Sequence, residues 1–319
     1  MNVWVTGATG FVGGATARRL AARGDRVVAI ARPSSAHLVD RARFTLAVAD
    51  LPELDALDGA PPPDAIVHCA AEISPDGPDA ERRSRAAHVD ATLALAERAR
   101  RAGARFVHLS TTDVYRDETA AASIDEDSAI GRSARYGRTK LEGESRLREA
   151  APDAVILRPP GVYGPESRGD YVQTLIRKIA RGWFVYFGDG RERRSWVFVE
   201  NLVDAIERAV DGRVPAGTYL IDDGAPVSRR ELVDSIDRAL RASTRYVHVP
   251  VPVAYALARS LEVTWPRIGR VAPLTTRGVR FLSEGFPLDT RRLRATGFAP
   301  SWTFDRAIEA TVRWVQGHR

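Results

Sequence analysis

The 319-residue chain has one cysteine, Cys69, and one methionine. A single cysteine excludes an intrachain disulfide, so the fold rests on packing. No run of 18 apolar residues occurs, which excludes a membrane-spanning helix. No block of five or six like charges occurs, although Lys plus Arg number 47 against 41 Asp plus Glu. The net charge is +6 and the pI about 9.8. The arginines alternate with acids, as in "AERARRAGAR" and "DTRRLRATG", which is a solvated surface and not a nucleic-acid face. The six histidines lack metal spacing, and HExxH and paired cysteines are missing, so no metal centre is expected. "MNVWVTGATG" runs straight into a strand, without a charged segment leading into an apolar one, and a cytoplasmic protein with no membrane partner is the expectation.

Lysine is scarcer than the charge suggests. Of the 47 basic residues only Lys140 and Lys178 are lysine. Lys140 stands in "SARYGRTKLEGE" (133–144), four residues after Tyr136. No other tyrosine has a lysine at that offset. On a helix the two share a face. A phenol titrates near 10 and is a poor acid–base group at neutral pH. A compact ammonium beside it lowers that value and can also donate to ribose hydroxyls, a slot a planar guanidinium fits badly.

The first half alternates apolar runs with helical stretches. "NVWVT" (2–6), "RVVAIA" (26–31), "RFTLAVAD" (43–50), "DAIVHCA" (64–70), "ARFVHLS" (104–110) and "AVILRP" (154–159) read as strands. Residues 87–103 and 133–150 read as helices between them. The pattern predicts an α/β fold, a doubly wound parallel sheet of Rossmann type, with ligands at the carboxyl ends of its strands. Beyond residue 160 the regularity breaks into a smaller, mixed α/β region that covers the substrate. There "GTYLIDD" (217–223) reads as a strand and 226–242 as a helix opened by a Ser228–Glu231 capping box. The aromatic run "GWFVYFGDG" (182–190) reads as packing or as pocket lining.

Between the first strand and the first helix, "VTGATGFVGG" places Gly7, Gly10 and Gly13 in G-x-x-G-x-x-G spacing. Such a loop turns tightly, admits a pyrophosphate to the backbone and packs helix on strand, with the phosphates at the helix N-terminus. The second strand ends in Ala31 and Arg32, where NAD-preferring folds carry an acid. Arg32, with Ser34 or Ser35, suits a 2′-phosphate and favours NADP(H) over NAD(H); as a plain surface arginine it would carry no such meaning. Asp50, ending the third strand, is placed to accept from the adenine amino group.

With these motifs the chain resembles the extended short-chain dehydrogenase/reductases, the broad epimerase/dehydratase and hydroxysteroid-dehydrogenase-like group, over nearly its whole length. "TGATGFVGG" is similar to the family's cofactor loop, "HCAA" (68–71) to an altered Asn-Asn-Ala-Gly element, "STTDVY" to its Ser/Thr strand end and "YGRTK" to its Tyr-x-x-x-Lys. "LRPPGVYGP" (157–165) resembles the loop beside the nicotinamide, and "WVFVENLVDAI" (196–206) the returning strand and helix. The resemblance implies a discontinuous cofactor domain of residues 1–165 plus about 191–222, and a substrate region of about 166–190 plus 223–319. It implies cofactor contacts at Gly7, Thr9, Gly10, Phe11, Val12, Gly13, Arg32, Ser34, Asp50, Leu51, Ala70, Ala71, Tyr136, Lys140, Pro159, Gly161 and Val162. It assigns Thr111, Tyr136 and Lys140 as the catalytic set, with Thr111 rather than Ser110 as the hydroxyl. Thr112, Arg194 and Trp196 are its candidate substrate contacts.

Departures sort the chemistries. Thr112 and Asp113 stand where dehydratases of this group carry an acidic pair. Gly161 stands where nucleotide-sugar epimerases usually carry Asn, while Arg194 keeps their diphosphate-binding arginine. His88 replaces a frequent Asn, as a packed residue or a proton relay. The expected activity is NADP(H)-dependent reduction of a ketone to a secondary alcohol, or its reverse. A nucleotide-sugar epimerase with retained NAD is the alternative, and a catalytically silent cofactor-binding regulator a third. The resemblance also implies a homodimer through helices 87–103 and 133–150.

Overall fold

A computed structural model describes residues 1–73, 77–115, 123–131, 134–268 and 270–318. Seven strands form one parallel sheet: β1 (Asn2–Thr6), β2 (Arg26–Ala31), β3 (Thr45–Val48), β4 (Ala65–His68), β5 (Arg105–Leu109), β6 (Val155–Arg158) and β7 (Gly217–Leu220). Their spatial order is β3-β2-β1-β4-β5-β6-β7. The chain starts in the middle, builds outward through β3, then crosses back to pair β4 with β1. Chain direction therefore reverses between β1 and β4, and the crevice above their carboxyl ends is where such sheets take ligands.

The β-branched, apolar strands are buried on both faces, as parallel sheets require. Val3, Val5, Val67 and Leu157 pack toward one helical layer, and Trp4, Ile66, Phe106 and Ile156 toward the other. On the first side lie α1 (Phe11–Ala22) and α4 (Val199–Val210); on the second lie α2 (Ala91–Ala102) and α3 (Arg135–Ala150). The expected strands are all present; 2–6 and 26–31 match in full, and the others are trimmed by one to three residues at their ends. The second-layer helix expected at 87 begins at Ala80 and carries one widened π turn, Ala86–Asp90, before α2. α3 starts at Arg135; the expected start at Ser133 lies outside the described residues.

Beyond β6 the chain leaves the sheet. β7 returns to its edge, and Ser228 caps the Arg229–Leu240 helix in the expected reciprocal box with Glu231. The aromatic run forms a strand, Trp183–Phe187, paired in parallel with Arg245–Val249. α5 (Val251–Thr264) and α6 (Thr276–Ser283) follow it.

Candidate active site

α3 sets Tyr136 and Lys140 one turn apart, above the end of β5. Lys140 is 1% exposed, and its Nζ donates to the Leu109 carbonyl over 2.9 Å. Burial lowers the ammonium to about 8, opposed by Cys69 and Glu144. Tyr136 is half-buried, and burial, then the Asp113 carboxylate, push its phenol above the ordinary value. The Lys140 ammonium is bonded to the Leu109 carbonyl, and burial is the largest influence on the phenol.

Thr111 follows β5, nearly buried, with Oγ1 accepting from the Asp113 N–H over 3.1 Å. The Thr112 N–H donates to the Pro159 carbonyl (3.0 Å), which ties this turn to the loop after β6. Ser110 is committed elsewhere: its hydroxyl donates to Glu144. Glu144 also receives both arms of Arg158, at 2.9 and 2.5 Å, and Arg148 at 2.7 Å. Arg158 donates further to the Tyr115 hydroxyl over 2.6 Å. Both members of the Glu144–Arg158 pair are fully buried. This ionic frame bolts α3, which carries Tyr136 and Lys140, to the ends of β5 and β6, and it engages Ser110 but not Thr111. Sequence reasoning missed it, although Glu144 lies one turn past Lys140 on the same face.

A second buried network joins the first strands to α3. The Ala70 N–H donates to Thr6 Oγ1 (3.1 Å); Thr92 spends its proton on the His88 carbonyl, so the neutral His68 ring carries its proton on Nε2 and Nδ1 accepts from the Thr6 hydroxyl (2.8 Å). His68 Nε2 then donates to Thr92 Oγ1 (3.1 Å), and Thr92 donates to the His88 carbonyl (2.8 Å). The Glu72 N–H donates to His88 Nε2 (2.9 Å), which assigns the ring proton to Nδ1, bonded to Thr139 Oγ1 at 2.8 Å. Burial, then Lys140 and Arg135, push His88 down to about 3, so the ring is neutral. It meets Tyr136 edge-on, with ring centroids 5.3 Å apart. Both its nitrogens are satisfied, so His88 orients the phenol from its π turn. Gly143 makes this approach possible: a Cβ there would lie 2.0 Å from the His88 carbonyl oxygen. His108, beside His68, has no hydrogen-bond partner for either ring nitrogen among the described residues. Burial pushes the Cys69 thiol up to about 12, so it is not a nucleophile.

The glycine loop is a cradle that side chains would fill. Gly7 has φ +67°, and a Cβ on it would sit 2.9 Å from the Ala70 nitrogen. On Gly13 a Cβ would sit 2.3 Å from the Gly7 carbonyl oxygen. Gly10 begins α1 with no side chain capping it and no acid in the first turn. The Phe11, Val12 and Gly13 turn therefore presents N–H groups and the positive dipole end to an anion, which fits a dinucleotide pyrophosphate. Thr9 bonds Ser35 across the loop (3.4 Å), so Ser35 rather than Ser34 faces the glycines. Arg32 is exposed at the end of β2, and Asp50 and half-buried Leu51 follow β3. One acid that the sequence reading did not place here does approach: Glu72, after β4, lies 4.0 Å from Arg32.

The substrate side is aromatic. Trp196 is buried, stacked on Tyr171 at 5.3 Å, with Phe281 of α6 edge-on to both. Its other face meets Gly161, where a Cβ would lie 2.7 Å from the indole. Val162, next in the loop, pairs with Val197. Arg194 lies over Phe281, centroid at 4.4 Å, and donates to the Glu284 carbonyl over 3.3 Å. Its Nε is buried without a hydrogen-bond partner among the described residues. Burial, then Arg229, lower its pKa to about 10, while Tyr171 and Asp113 act the other way. Of the run Trp183–Phe187, Phe184 and Tyr186 are buried in the same hydrophobic cluster as Trp196.

Comparison with known proteins accords with this geometry. Residues 3–221 match the model of the NAD dependent epimerase/dehydratase family. A 2-alkyl-3-oxoalkanoate reductase of Stenotrophomonas maltophilia is 30% identical, over 89% of this chain and 88% of its own. A UDP-glucose 4-epimerase of Mycolicibacterium smegmatis is also 30% identical, over 76% of this chain and 83% of its own. Among solved structures, the UDP-glucose 4-epimerase of Thermotoga maritima, crystallised with UDP-glucose, superposes with a TM-score of 0.77 at 20% identity, covering 100% of this chain and 99% of that one.

Proposed function

The chain belongs to the NAD dependent epimerase/dehydratase family and is an NAD(P)-dependent enzyme of the extended short-chain dehydrogenase/reductase type, and from that premise we propose that it reduces a ketone to a secondary alcohol with NADPH. When bound, the cofactor supplies the hydride. Tyr136 gives the proton to the carbonyl oxygen, and its raised pKa keeps it protonated at neutral pH, the form a reduction needs. Thr111 donates to the same oxygen and orients it. Lys140 holds the ribose and supplies positive charge beside the reacting atoms.

The contact of Gly161 with Trp196 carries the reading. An indole fills the space where a polar side chain at 161 would reach toward a sugar. The wall beside it is aromatic, with two cations: Arg229, which is paired with Glu192, and Arg194, which makes no ion pair among the described residues. Such a wall suits an apolar ketone bearing one anionic group, as a 2-alkyl-3-oxo acid does. The S. maltophilia relative is named for that chemistry. The cofactor preference rests on Arg32 and on the lack of an acid on β2; a 2′-phosphate would draw Arg32 away from Glu72.

The test is NADPH oxidation across 2-alkyl-3-oxo acids, neutral ketones and keto sugars. Tyr136→Phe should bind NADPH as tightly as the native enzyme while turnover falls by about 10²–10⁴. Near-native turnover in that variant would overturn the mechanism. One observation favours an epimerase instead: the incompletely bonded guanidinium of Arg194 also suits a diphosphate. Mass spectrometry of ligand released from the purified protein separates the two, since retained NAD with a nucleotide sugar would decide for epimerisation.

A further inference from the structure

The outer layer of the second half presents a helix face that water does not explain. α5 packs inward through Ala254 and Ala258 against Val279 of α6, with Phe187 and Val249 beside them. Its outward arc carries Val253, Ala256, Leu257, Ser260, Val263 and Thr264, all exposed and all uncharged. Val253, Leu257 and Val263 are 55%, 50% and 56% exposed, and Val271, just beyond the helix, is 90% exposed. A solvated surface helix puts charges on that arc. Here Arg259 stands at its edge, and the helix's one acid, Glu262, turns inward to bond Thr276 at 2.9 and 3.2 Å.

The charge around this face has one sign. Between residues 251 and 283 the sequence holds five arginines and only Glu262 as an acid. Arg259, Arg267, Arg270 and Arg277 are exposed and make no ion pair among the described residues. Elsewhere some surface arginines are paired, as Arg18 is with Glu166, Arg98 with Asp58 and Arg138 with Glu81, and others, such as Arg26, Arg41 and Arg313, make no ion pair among the described residues; here four such arginines flank one apolar face. A second copy is poorly suited to cover the patch, because a two-fold contact would set arginines against arginines. None of the described helices is long and apolar enough to cross a membrane. A 14-residue helix, about 21 Å long, lies flat on one with ease.

We propose that α5 and the segment after it dock the protein on an anionic lipid surface. Val253, Leu257 and Val263 enter the acyl boundary, and Arg259, Arg267 and Arg270 meet the lipid phosphates. The absence of a spanning segment bears only on crossing a bilayer; this is binding in its interface. Docking would also orient the cleft, because α6, which packs on the inner face of α5, carries Phe281 of the aromatic wall. The proposal does not depend on which carbonyl compound is reduced.

The test is sedimentation of the full chain with vesicles of phosphatidylcholine alone and with about one-third phosphatidylglycerol. The protein should pellet with the anionic vesicles and not with the neutral ones, and salt should release it. Leu257→Asp should weaken binding at least about tenfold, and the pair Arg267→Glu, Arg270→Glu by roughly as much. Both variants alter exposed side chains and should keep the native melting temperature and turnover. No pelleting with anionic vesicles, or equal pelleting with both kinds, would overturn the proposal. So would a dimer in sedimentation velocity that Leu257→Asp dissolves while vesicles bind nothing, since that assigns the face to a second copy.

Discussion

The two walls of the cleft are made of different materials. The cofactor wall is mostly backbone: Gly7, Gly10 and Gly13 bring main chain against main chain, and the tolerances are set by carbonyl oxygens and amide nitrogens that cannot move aside. The substrate wall is side chain on side chain: Trp196 between Gly161 and Tyr171, Phe281 on its edge, Arg194 over Phe281. A backbone wall has one solution and is rigid. A side-chain wall has many and can be re-cut for a new substrate without disturbing the other. The family's diversity of reactions on one cofactor site follows from that division.

Four perturbations probe it. The largest effect should come from the frame beneath both walls. Glu144→Gln removes the partner of a fully buried Arg158, and chemical denaturation should show a loss of about 3–5 kcal/mol. Next, one added carbon should separate the walls. Gly13→Ala drives a Cβ into the Gly7 carbonyl and should cost about 3 kcal/mol, with cofactor binding lost in titration calorimetry. Gly161→Ala drives the same carbon against the six-membered ring of Trp196, a side chain that can tilt. It should cost about 1 kcal/mol and change KM for the ketone while leaving cofactor affinity intact. Equal losses in both variants would erase the distinction.

The smallest effect is one of pH. Lys140 is held at about 8, below its unfolded value near 10.4. Between those values the unfolded chain binds the extra proton and the folded one does not, so stability from this group rises with pH across the window, by at most about 1.4 kcal/mol per pH unit. Below 8 both forms are protonated and the slope vanishes. Denaturation midpoints for native protein and Lys140→Met, compared from pH 7 to 10, should differ by that slope.

The same division governs what could be read from the sequence. Backbone constraints leave glycines at fixed spacing, so the cofactor loop and the strands feeding it were legible to within a residue or two. Tyr136 and Lys140 were legible because lysine is rare here and the helical offset is local. Glu144 obeyed that same offset and Arg158 ended a buried apolar strand, so the frame left traces that were not joined. His68, Thr92 and His88 come from separate elements, and their network depends on tautomers that no pattern encodes. The aromatic wall draws Tyr171, Trp196 and Phe281 from three distant segments. The local run of aromatics at 182–190 pointed to a neighbouring strand pair instead.

Gly161 and Trp196 also constrain each other in descent. A side chain larger than alanine at 161 runs into the indole, and trimming the indole first leaves a void against Tyr171. Each change is harmful alone, and the harm of one is relieved by the other, which is sign epistasis between contacting residues. Reaching asparagine at 161 from this pair therefore takes two coupled changes, and the double variant Gly161→Asn, Trp196→Ala makes both in one move.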